Sequence, residues 1–166
     1  EDKQDARVHF IHQQIEDLHG KLVQMGSSLH VFHGNPGVVW ESIFKNWSVA
    51  EIYTNRDYEP YAKERDQAIK DLLKVKGIQF LDFKDQVIFE KGEILNGSGD
   101  FYKVFTPYSR VWLEKFNNSN ISLLSLNKSK RNFLKTDPFS IPSLNDMGFE
   151  ESDVKIPPLE IDRPLI

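Results

Sequence analysis

An α/β fold built on a parallel sheet is what this sequence predicts, and three observations predict it. Apolar residues in the first segment recur at alternating spacings of three and four, which marks one face of an amphipathic helix. Short, nearly continuous apolar runs rich in β-favouring residues follow at Leu29–Phe32, Val49–Thr54 and Ile78–Phe83. Helical patterns separate those runs, and helices alternating with such strands give the βαβ rhythm of a parallel sheet.

The opening helix carries Val8, Ile11, Ile15, Leu18, Leu22 and Met25 on one side, and Gly26-Ser27 stops it. Leu29 to Phe32 is then predicted as the first strand, ended by Gly34. Asn35-Pro36 starts a second helix: the Asn side chain caps free N–H groups, and Pro is tolerated at the first helical position. Val38, Val39, Ile43 and Phe44 form its apolar side. After the second strand, a charged helix covers about Glu59 to Lys76, with Tyr61, Ile69, Leu72 and Leu73 inward, and Gly77 closes it before the third strand. From about Asp85 the rhythm breaks. Asn96-Gly97-Ser98-Gly99 is predicted to be a flexible loop, and Ser109 to Phe116 one more helix carrying Trp112 and Phe116. Beyond Asn117 the chain turns polar, with Pro at 138, 142, 157, 158 and 164. Residues 1–116 are thus expected to form one α/β domain, and 117–166 an extended linker wrapped along a neighbour.

Composition excludes several function classes. The 39% hydrophobic content and 12 Phe suffice for a core, while the net charge of −4 argues against a chain that binds nucleic acid by itself. There is no Cys, so disulfides, thiolate catalysis and Cys-based zinc sites are excluded, as fits an intracellular protein. No run approaches the roughly 20 apolar residues of a membrane span. The chain opens Glu1-Asp2-Lys3 without an initiator Met or a signal peptide, so a processed or fragmentary chain is expected.

Five histidines invite a metal reading, but His9 with His12 and His30 with His33 are two loose pairs, not a converging ligand set. Surface or capping histidines are expected instead. Five Asn-x-Ser triplets, beginning at Asn46, Asn96, Asn117, Asn120 and Asn127, match a pattern frequent by chance and are discounted. The Gly97-Ser98-Gly99 run lacks a Walker lysine and a GxGxxG pattern, so a plain turn is expected there, not a phosphate cradle. No Ser-His-Asp or paired-carboxylate arrangement stands at catalytic spacing. The most distinctive stretch runs from Asn55 to Tyr61 with Arg65-Asp66, where a parallel strand ends and a helix begins. Ligands of open α/β sheets bind beyond such strand ends. The plainer reading is that Asp57 caps the helix while Arg65 and Asp66 pair on its surface.

These residues carry a resemblance. Ile52 to Asp66 (IYTNRDYEPYAKERD) resembles the Asn-x-Asp-x-Glu-Pro-Tyr…Arg-Asp segment of DNA photolyases and cryptochromes. Gly97 to Trp112 (GSGDFYKVFTPYSRVW) is similar to that family's later Tyr-x-Val-Phe-Thr-Pro-Tyr…Trp segment, and Arg7 to Pro36 to the helix, strand and turn preceding both. Met147 to Asp153 and Ile156 to Ile166 resemble its interdomain connector. The wording looks closest to microbial cyclobutane pyrimidine dimer photolyases, which implies a cytoplasmic location.

The resemblance implies a Rossmann-like sheet flanked by helices that lacks the family's first strand, helix and second strand, its exposed edges favouring self-association. It also implies an antenna chromophore, a folate or a deazaflavin or flavin, held here. FAD would sit in a helical domain of the same parent chain, outside this fragment, and damaged DNA would be met through that domain. This chain would then hold no catalytic residue. Arg7 and Asp57 match chromophore-binding positions of deazaflavin-type members. Gly99-Asp100 stands where folate-type members have Asn-Glu, Asp100 keeping the carboxylate and Gly99 losing the amide. Two alternatives stay open: a cryptochrome photoreceptor domain, and a stand-alone nucleotide-binding α/β domain.

Overall fold

The computed structural model describes residues 2–120 and 125–155. They fall into two compact units, one from Glu1–Gly34 with Ser125–Ile166, the other Asn35–Leu124.

The second unit contains the sheet. Helix α2, Pro36–Asn46, starts as predicted: the Asn35 side chain accepts hydrogen bonds from the N–H groups of Gly37 and Val38. (The label α1 belongs to the helix of the other unit, Ala6–Gln24.) Strand β1, Glu51–Asn55, leads to helix α3, Pro60–Lys76, and on to strand β2, Gln79–Phe83. The two strands pair in parallel, Glu51 opposite Gln79 through Asn55 opposite Phe83. The core lies on one face of this pair, where Ile52, Ile69 and fully buried Leu73 pack with Trp40, Phe44, Val49, Ile78 and Phe80. On the opposite face Tyr53 stacks on Phe83, and both are largely exposed. Parallel sheets normally carry helices on both faces.

Gly77 stops α3 in the left-handed conformation, with φ of 69°. Its N–H donates to Lys74 O and that of Ile78 to Leu73 O, so two carbonyls of the last helical turn find backbone partners. A Cβ there would meet no atom, so the positive φ alone explains the glycine.

Helix α4, Phe105–Asn118, begins four residues before the expected Ser109. Pro107 falls in its first turn, where a missing N–H breaks no helical bond. Trp112 stacks on Phe116 and meets Phe89 edge-on at 5.5 Å between ring centres.

In the first unit, α1 is capped by Asp5, whose carboxylate accepts from Arg7 N. The segment from Phe133 to Asp153 is held onto it by hydrogen bonds: His12 Nε2 lies 2.9 Å from Pro142 O, the Ser152 N–H donates to His9 Nδ1, and Lys135 Nζ donates to Met25 O. His12 is therefore buried, where a surface or capping role was expected.

The predicted strand at Leu29–Phe32 is not one. A strand exists through a ladder with a neighbour, and among the described residues the sheet holds only β1 and β2. The segment is tied down by side chains instead: Leu29 N–H donates to His19 Nδ1, Phe139 N–H donates to Ser28 Oγ, and His30 stacks on Phe139.

Candidate functional site

The parallel pair dictates where to look. Both strands end on the same side, and the chain leaves β1 at Arg56 and β2 at Lys84, opening a crevice between the two exits. A cavity of about 370 Å³ lies there, lined by Arg56, Asp57, Tyr58 and Lys63 on one side and by Gln86, Val87, Phe89, Glu90 and Lys91 on the other.

Arg56 organises the crevice. Its guanidinium donates to Asp82 Oδ1 at 2.9 Å and to Glu90 Oε2 at 2.6 Å, and its backbone N–H donates to Phe83 O. The first residue after β1 is thus bound to β2 and to the far wall at once. Lys70 of α3 also donates to Asp82, and these two cations, Lys70 first, hold the Asp82 carboxyl below its ordinary range.

Asp57 accepts the N–H of Glu59 at 3.0 Å, and that bond is the main reason its carboxyl is held below the ordinary carboxylate range. The expected capping role is corrected here: the residue at the helix start is Glu59, which makes no side-chain cap bond, and Asp57 closes the turn before it. Arg65 and Asp66 pair at 2.8 Å, as the plainer reading expected.

The other expected site residues are not in the lining of this crevice. Arg7 belongs to the other compact unit, where its exposed guanidinium binds Asp5 at 2.5 Å. That contact, before all others, lowers the Asp5 pKa from 3.8 to about 2. Because the folded value is the lower one, the stabilisation is complete above pH 4 or so and is lost as pH falls toward 2. Carbon-detected NMR titration of Asp5 is expected to show that acid midpoint, and Arg7→Gln to return it toward 3.8.

Gly99 adopts φ of 82° in a turn whose N–H groups are already taken: Asn96 accepts from Ser98 and Asp100 through its side chain and from Gly99 through its carbonyl. No donor of those three points outward for an anion. Asp100 lines a different, open hollow of about 640 Å³ with Tyr102, Lys103 and Pro107. Of the four expected residues, Asp57 alone lines the crevice at the strand ends. The residues that sequence reading missed are Lys63 and the wall from Gln86 to Lys91. The one local signal for that wall is the apolar triplet Val87-Ile88-Phe89 between polar neighbours.

Comparisons with known proteins converge on one group. The sequence model described as DNA photolyase matches residues 1–128. A deoxyribodipyrimidine photo-lyase of Halobacterium salinarum is 28% identical over 91% of this chain and 31% of its own length. The corresponding protein of Synechococcus sp. is 31% identical over 67% of the chain and 23% of itself. Cryptochrome-2 of Gallus gallus is 31% identical over 86% and 26%. The chain thus spans less than a third of these relatives.

Among solved structures, a class III photolyase of Agrobacterium tumefaciens superposes with a TM-score of 0.60 over 72% of the chain and 24% of its own, at 22% identity, a likeness of fold alone. The photolyase of Sulfolobus tokodaii, solved with two FAD molecules that imply a novel light-harvesting cofactor, superposes at 0.53 with 28% identity over 65% and 23%. Among the described residues no helix is long and apolar enough to cross a membrane.

Proposed function

Because the chain belongs to the DNA photolyase family, we propose that it is the light-harvesting α/β part of a deoxyribodipyrimidine photo-lyase. The observation that carries this is the crevice at the strand ends. Its volume suits one ring system, Tyr58, Val87 and Phe89 supply flat apolar wall, and Asp57 offers a fixed carboxylate to ring N–H donors. When bound there, a folate, flavin or deazaflavin would supply light absorption and pass the energy onward to FAD. The second FAD of the Sulfolobus relative supports the flavin end of that range. The protein's own contribution is to present the wall, to hold Asp57 ionised and to keep Arg56 clamped to Asp82 and Glu90 so that the crevice stays open.

FAD itself and the splitting of pyrimidine dimers belong, in this proposal, to a helical domain of the parent chain, which also meets the damaged DNA. The test is dimer loss from irradiated DNA by the full-length, FAD-loaded protein: repair under blue light and none in the dark is expected. The likeness to Gallus gallus cryptochrome-2 favours a photoreceptor as the second reading. Light-dependent flavin reduction without any dimer loss would replace the first reading by the second.

A further inference from the structure

We infer that Glu93 is the positioning residue of the crevice: it clasps the wall from Gln86 to Lys91 at its far end and so fixes the gap that a ring must enter. What enters the gap rests on the chromophore reading; the clasp itself rests on hydrogen bonds that are present without any ligand.

Gln86, Val87, Phe89, Glu90 and Lys91 form one side of the crevice, and all of them lie between Lys84, the first residue after β2, and Glu93. Glu93 ties those two ends together. Its carboxylate accepts from Lys84 Nζ through both oxygens, at 3.0 and 2.8 Å, and from the backbone N–H of Glu90. Its own N–H donates to Glu90 O at 3.0 Å, closing the turn in which Gly92 takes φ of 88°. Lys115 of α4 donates to its carbonyl at 2.8 Å. Lys84 first, and then the Glu90 N–H, hold the Glu93 carboxyl below its ordinary range, so the clasp is ionic at neutral pH.

A lone ion pair at such exposure contributes little. Here the pair belongs to a group, because the same two lysines also stand over the ring of Phe89. Lys84 Nζ lies 5.9 Å and Lys115 Nζ 5.0 Å from its centre. Glu93 thereby fixes the cations that hold the aromatic part of the wall. It also holds the backbone of Glu90, while Arg56 holds the carboxylate of that residue. Release at Glu93 leaves the wall to Arg56 and the β2 end alone.

Amide hydrogen exchange on the ligand-free 166-residue chain tests the clasp. Lys84→Met, which leaves the Glu90 N–H its acceptor, is expected to raise exchange of that N–H about tenfold or more while β1 and β2 keep their protection. Glu93→Ala should raise it further, and Glu93→Gln, which keeps an acceptor without the charge, should fall between parent and Ala. Glu90 exchange at the parent rate in Lys84→Met overturns the inference, as does a rise shared equally by β1 and β2. Riboflavin affinity, read by flavin fluorescence, is expected to fall about tenfold in Lys84→Met and in Glu93→Ala with the urea midpoint unmoved. Equal riboflavin binding by parent and variants also overturns it. A parent chain that binds neither riboflavin nor free pterin sinks the chromophore reading instead, and the exchange rates still decide the clasp.

Discussion

Leu73→Ala is expected to destabilise the sheet-bearing unit by about 2–5 kcal/mol, the range for deleting a fully buried aliphatic side chain. Leu73 is the largest side chain with no exposure, and it joins α3 to Ile52 of β1 and Ile69 of its own helix. Among the described residues the sheet it covers has two strands, and Tyr53 and Phe83 on the other face are largely exposed, so little else compensates for a hollow there. Urea unfolding followed by circular dichroism should show a large fall in midpoint or no folded baseline. Leu73→Met, which conserves volume, should stay within about 1.5 kcal/mol of the parent. A midpoint unmoved by the Ala change would mean that the helix and sheet do not pack as described.

Asp57→Asn is expected to weaken chromophore binding about tenfold while leaving the fold intact. Asn keeps the oxygen that accepts the Glu59 N–H, so the turn survives, but it removes the charge offered to ring donors. The pH dependence gives a second readout. The Glu59 N–H holds the Asp57 carboxyl below 3.8, so the group stays ionised through the neutral range. Affinity in the parent should be flat from pH 8 to pH 5 and decline only as acid reaches that lowered value. The Asn variant should show no such decline. Equal binding by parent and variant at pH 7 would remove Asp57 from the site.

Much of the architecture was legible because its signals are local. The spacing of Val8, Ile11, Ile15 and Leu18 sufficed for α1, and Asn35-Pro36 and Gly77 marked a helix start and a helix stop that the backbone uses. What failed was non-local. Leu29–Phe32 has the composition of a strand, but composition does not supply the neighbour that makes one, and its contacts are instead with His19 and Phe139. The burial of His12 depends on Pro142, far along the chain, which no periodicity in α1 reveals.

The crevice divides in the same way. Asp57 was visible because the turn after β1 is a recognisable segment, whereas the wall from Gln86 to Lys91 comes from a stretch where the pattern dissolves. Its membership depends on the register of β2 against β1. Arg56 makes that dependence physical, since it reaches Asp82 and Glu90 from the end of the other strand.

The abrupt reversal at Gly77 therefore sets a length as well as a direction. Only Ile78 separates it from β2, and β2 runs five residues to Phe83 before the chain turns into the crevice wall. One inserted residue at the reversal would displace that wall by about 3.3 Å along the strand axis and exchange the inward and outward sides of β2. The position of the crevice wall is thus set at the far end of the strand, by a glycine outside the crevice lining.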